Sequence, residues 1–89
     1  MVSDNDLAFV KSSKYRLKII KFLKDRVIAT PNDISKTMNI ILSQVSRTLS
    51  ELENRNIVIC TTPNRTKGRI YRLTKTGNEV IHYLEVIDS

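Results

Sequence analysis

The sequence predicts a mainly α-helical fold carrying one small antiparallel β hairpin, an α+β class. Three observations predict it. Apolar residues recur at the three-to-four spacing of a buried helix face along most of the chain. Two short strand-like runs, the β-branched 57–61 and 69–73 with Ile70 and Tyr71, bracket the turn-rich stretch 62–68. Only two glycines and two prolines interrupt 89 residues, so most of the chain is expected in regular elements. No repeat, linker or low-complexity stretch divides it, and residues 1–89 read as a single domain.

The elements follow in order. Leu7, Ala8, Phe9 and Val10 form a short apolar segment, read as a first helix or helical turn. Ser12 or Ser13 then caps a helix running to about Asp25, with Tyr15, Ile19, Ile20, Phe22 and Leu23 on a broad apolar face. Val27-Ile28-Ala29 is short and β-prone, the kind of segment that adds an edge strand. Thr30-Pro31-Asn32-Asp33 is a strong helix start: a capping hydroxyl, a proline at the first helical position, and an acid near the positive end of the dipole. Ile34 and Met38 share one face, and Asn39 ends the helix by adopting the left-handed conformation that otherwise calls for glycine. Ile40 and Ile41 cross the turn, and Ser43 offers the next N-cap. From about Gln44 to Arg55, Val45, Leu49 and Leu52 must face the core, while Gln44, Arg47, Thr48 and Glu51 are expected on the opposite side. After the hairpin, Thr74 caps a last helix whose apolar residues are Val80, Ile81, Leu84 and Ile87.

Charge points to a polyanionic partner. The net charge is +6 and the sequence pI about 9.8, which lies in the range of nucleic-acid-binding domains. The distribution is uneven. Within residues 44–75 seven basic side chains stand against Glu51 and Glu53, a net +5, whereas residues 76–89 hold Glu79, Glu85 and Asp88 and no lysine or arginine. The basic middle is expected to meet one partner and the acidic tail another.

Two segments carry the functional reading. The helix after the turn presents Ser43, Gln44, Ser46, Arg47 and Ser50, short or hydrogen-bonding side chains that let a backbone approach base edges. Arg47 is suited to a bidentate contact with guanine and Gln44 with adenine, each worth about 1–3 kcal/mol of discrimination. The serines are suited to phosphates, and Ser43 has a competing duty as a cap. The hairpin loop supplies Asn64, Arg65, Lys67 and Arg69, with Gly68 allowing close approach. A solvated amphipathic helix and a solubilising loop would explain each segment alone. Together they offer one duplex two basic surfaces.

The run TPNDISKTMNIILSQVSRTLSELENRNIV, followed by GRIYRLTKTGNEVI, resembles the winged helix-turn-helix domains of prokaryotic and archaeal regulators of the MarR and ArsR type. The resemblance covers about residues 12–82. It rests on Leu52-Glu53-Asn54-Arg55-Asn56-Ile57-Val58 at the end of the recognition helix and on Leu73-Thr74-Lys75-Thr76-Gly77 after the wing, with Asn39 in place of the usual turn glycine. It implies a helix-turn-helix at about 31–55 and a wing at about 57–73. It further implies a sequence-specific, double-stranded DNA-binding transcription regulator whose recognition helix enters the major groove while the wing follows the backbone or minor groove. The family's frequent mode of dimerisation makes the terminal segments 5–11 and 75–88 the expected homodimer surface, through Leu7, Phe9 and Val10 at one end and Val80, Ile81, Tyr83, Leu84 and Ile87 at the other. Closure of the monomer core is the other use for those side chains.

Other functions have less to stand on. His82 is the only histidine and has no base or nucleophile pattern beside it; Cys60 is the only cysteine and reads as a small strand hydrophobe. The thiolate metal switches of the arsenic-repressor relatives use paired cysteines, which the chain does not have. No enzyme activity, cofactor, metal or small-molecule substrate is expected. With neither a membrane-spanning run nor a signal peptide, a cytoplasmic location is expected. A winged helix used only for protein–protein interaction or assembly stays open as the alternative, because a fold does not settle a function. RNA or single strands are disfavoured, since Phe9, Tyr15, Phe22, Tyr71 and Tyr83 fall mostly in apolar patterns rather than as stacking platforms.

Overall fold

Ser3, Ser13 and Thr30 each have extended backbone, and each opens a helix by accepting main-chain N–H bonds on its hydroxyl. In the computed structural model, which describes residues 2–88, the elements are α1 (Asp4–Lys11), α2 (Lys14–Arg26), β1 (Ile28–Ala29), α3 (Pro31–Met38), α4 (Leu42–Asn54), β2 (Val58–Cys60), β3 (Tyr71–Leu73) and α5 (Lys75–Asp88). The order and the α+β class are those expected. Among the described residues no helix is long and apolar enough to cross a membrane.

Two points left open by the sequence are settled and other boundaries move, each for a local reason. The first segment is a full helix rather than a turn, because Ser3 receives the amides of Asn5 and Asp6 and two acids sit in its first turn. Ser13, not Ser12, caps α2; the Ser12 hydroxyl instead donates to the Phe9 carbonyl at 2.8 Å. Val27 is not strand. It has φ 71° and ψ −53°, donating its N–H to Leu23 at 2.8 Å to close α2, and β1 begins after it. Thr30 and Asp33 exchange reciprocal bonds of 3.1 Å, a complete capping box ahead of α3. Asn39 takes the left-handed conformation as expected, φ 56°.

Ser43 does not cap α4. The Ile41 carbonyl already accepts from Gln44 and Val45, so the helix starts at Leu42 and has no side-chain cap. Thr48 is a further correction: it is buried, not on the outer face. Its hydroxyl donates back to the Gln44 carbonyl at 2.8 Å and receives the Gln44 amide at 3.0 Å, which lets a polar side chain sit against the core. At the other end, Asn56 is left-handed at φ 60°. The amide of Asn56 reaches Glu53 and that of Ile57 reaches Leu52, the pair of bonds that seals a helix end.

The three strands run antiparallel in the order β1-β3-β2, with Ile28 opposite Arg72 and Arg72 opposite Ile59. Alternation turns Ala29, Val58, Cys60, Tyr71 and Leu73 inward. They close one side of a core built from Ile19, Ile20 and Leu23 of α2, Ile34 of α3, Val45, Leu49 and Leu52 of α4, and Val80, Ile81 and Leu84 of α5. Val10 joins them, so α1 belongs to the core rather than hanging from it. The Phe9 ring lies between two guanidinium groups, Arg16 at 3.8 Å and Arg55 at 4.3 Å from its centroid. Arg16 also bonds Glu51 at 3.2 Å and the Phe9 carbonyl at 2.8 Å, tying α1, α2 and α4 together.

Candidate nucleic-acid interface

The turn at 39–41 lays α4 across α3, and the β2–β3 loop folds back beside them. Between these three pieces lies an open groove of about 450 Å³. One wall is Leu42, Ser46 and Ser50, successive turns of α4; another is the start of α3 at Thr30, Pro31 and Asn32. The loop residues Thr66, Lys67, Gly68 and Arg69, with Tyr71 beneath, form the facing side.

The α4 surface expected to face a ligand is assembled in part. Ser43, Ser46, Arg47 and Ser50 are exposed. None of these side chains hydrogen-bonds or ion-pairs with any described residue, so their donors are available. Gln44 is different. It is half-buried, and one of its two amide N–H groups is held by Thr48 on the flank away from the groove lining, which leaves its other N–H and its carbonyl oxygen for a ligand.

The loop divides in the same way. Asn64, Arg65 and Lys67 are exposed at its tip, and Arg65 reaches only the Gly68 carbonyl at 3.4 Å. Gly68 has φ 64°, a conformation in which side chains are strained, and nothing lies within 4 Å of where a Cβ would sit. Arg69 is half-buried at the loop's base. Its Nε donates to the Cys60 Sγ at 3.3 Å, and its guanidinium stands 5.9 Å from the Tyr71 ring centroid. Arg69 therefore anchors the loop as well as bordering the groove. Burial pushes the Cys60 thiol up, but the bond from Arg69 and those with Thr62 outweigh it and hold the thiol below its ordinary value. Burial likewise raises Tyr71. The pairing of the hairpin extends past the strands because Thr61 donates to Ile70 at 2.8 Å while Ile70 donates to the Thr62 hydroxyl at 3.0 Å.

At the termini, Val10, Val80, Ile81 and Leu84 are buried inside the chain, and Leu7 and Phe9 pack against the same core. These side chains close the monomer. Of the residues expected to pair two copies, Tyr83 and Ile87 stay exposed, joined by Val86. The lysines of α1 and α2 gain no common site: Lys24 pairs with Glu85, while Lys11 of α1 and Lys18 and Lys21 of α2 are exposed. His82 is exposed on α5, away from the groove lining.

Sequence reasoning missed Ile41, Leu42, Asn32 and Thr66. Asn32 and Thr66 border the groove because of how the loop folds back, which no local pattern encodes. Ile41 and Leu42 did carry a signal: four apolar residues run from 40 to 42 and 45, more than one turn of core-facing helix needs. No protein-family model, curated protein or solved structure matches the chain.

Proposed function

We propose that the chain is a winged helix-turn-helix protein that binds double-stranded DNA as a sequence-specific transcription regulator. In this reading α3 and α4 are the helix-turn-helix and the β2–β3 loop is the wing. The carrying observation is the groove with unbonded Ser46 and Ser50 on one wall and Lys67 on the other, beside the exposed, unbonded Arg47 of the same helix. A phosphate backbone seated between them puts α4 in one groove of the duplex and the loop tip over its neighbour. The net charge of +6 supplies the salt-sensitive attraction that brings a polyanion there.

The protein acts as a homodimer in this reading, through the exposed Tyr83, Val86 and Ile87 surface of α5. Two copies place their α4 helices on successive major grooves, roughly 34 Å apart, on a pseudo-palindromic site. A cytoplasmic location accords with it.

A second reading has one observation in its favour. Ile28 and Ile59 flank Arg72 in a cross-strand row and are 50% and 40% exposed, an apolar sheet face suited to a protein partner. The deciding experiment titrates a labelled random-sequence duplex at two salt concentrations and selects bound sequences from a pool. Salt-sensitive binding that enriches a palindrome supports a dimeric regulator; salt-sensitive binding without enrichment points to an architectural DNA binder. Folded protein that binds no duplex at low salt overturns the DNA reading and leaves the protein-interaction module.

A further inference from the structure

Ile41 is the most exposed large hydrophobic side chain among the described residues, at 76%, and its neighbour Leu42 is 43% exposed. Folding does not ask for either. Ile41 is the N-cap of α4, a position where Ser, Thr, Asp or Asn would satisfy a free amide and an aliphatic residue does not. The chain uses a hydroxyl cap at α1, α2 and α3 and has none at α4. Nor does the turn need the pair as apolar glue. Ile40 and Val45 hold the two positions of a hydrophobic staple around this cap, and both are buried. A broken local rule with no structural return marks a functional position.

The pair extends the surface already described. Leu42 lines the groove one turn before Ser46 and two before Ser50. Ser43 and Arg47 stand exposed on the same stretch of helix. Charge says what covers it: the opposite wall carries Lys67 and Arg69, which suit a polyanion rather than an apolar protein. Within a duplex, the apolar group that the major-groove edge offers is the 5-methyl of thymine.

We propose that Ile41 and Leu42 read thymine, packing their aliphatic side chains against its 5-methyl group at the leading end of α4. The proposal rests on the DNA-binding reading above and deepens it by naming one feature of the target. Arg47 then selects a base by hydrogen bonding while the Ile41–Leu42 edge selects one by shape.

The test replaces thymines one at a time by deoxyuridine in a site selected from the duplex pool. This removes the methyl and leaves base pairing intact. At one or two positions affinity is expected to fall about fourfold, the worth of one buried methyl-sized group. Ile41→Ala or Leu42→Ala is expected to abolish that thymine–uracil difference while leaving the salt dependence unchanged, since neither removes a charge. Both side chains are exposed, so helicity by circular dichroism should match the parent protein. Selective binding with no uracil effect at any position overturns this inference and spares DNA binding. So does a uracil effect that survives both substitutions. Absence of any duplex binding overturns the DNA reading and this inference with it.

Discussion

The Ile57 carbonyl oxygen lies directly against Gly77, so that a Cβ on Gly77 would overlap it. The same carbonyl accepts the Thr74 N–H at 3.0 Å and the Thr74 hydroxyl at 3.1 Å. Thr74 in turn receives the Gly77 amide at 3.0 Å. This knot joins the end of α4 to the start of α5. Gly77→Ala must push two backbone segments apart and is expected to cost about 2–3 kcal/mol, the upper range for overpacking. Gly68→Ala is the control: nothing crowds it, and the left-handed backbone alone should cost about 1 kcal/mol. Urea melts of the two variants check the order.

Arg47 carries the base-reading prediction. Its side chain is exposed and unbonded, so Arg47→Ala leaves folding intact. Selection with the variant should lose preference at one base position, with about 1–3 kcal/mol less discrimination there. A binding profile identical to the parent's would remove Arg47 from the reading surface.

The loop tip is expected to act on every sequence alike. Arg65→Ala combined with Lys67→Ala should weaken selected and unselected duplexes by the same factor. The slope of log affinity against log salt should fall by about 0.9 for each phosphate that the variant no longer neutralises. An unaltered slope would place the loop away from DNA.

Asp33 makes stability depend on acid. Bonds from the Thr30 main-chain N–H and hydroxyl favour its ionised form and hold the carboxyl below its usual value. A depressed acid stabilises the fold above its unfolded value, near 3.9, and loses that contribution as pH falls through the lower folded one. Asp33→Asn should therefore be less stable than the parent at neutral pH. Melts taken at decreasing pH should show the two converge below about pH 4.

Much of this chain is legible without coordinates because its signals are local. The Thr30–Asp33 capping box, the Asn39 turn and the Val45, Leu49 and Leu52 spacing each involve residues within two turns of one another. Backbone sterics and hydrogen-bond geometry operate over that range whatever the rest of the chain does. Ser43 shows the limit. It is a good cap by composition, yet Ile41 takes the position because the Asn39 turn brings its carbonyl within reach of Gln44 and Val45 first. Thr48 shows another: a hydroxyl that bonds its own helix carbonyl no longer counts as polar, and can be buried.

Periodicity and caps are properties of neighbouring residues, and they were enough for the element order, the mixed α+β class and the inward turn of Val45, Leu49 and Leu52. The fate of the two ends depended on packing between distant segments. Val10, Val80, Ile81 and Leu84 suited a partner surface or the core, and a small fold with few side chains to fill its interior drew them in. Packing between distant segments also set Lys67 and Arg69 across a groove from Leu42 and Ser46. That juxtaposition joins residues more than twenty positions apart, through a sheet whose edge strand and hairpin must first find each other.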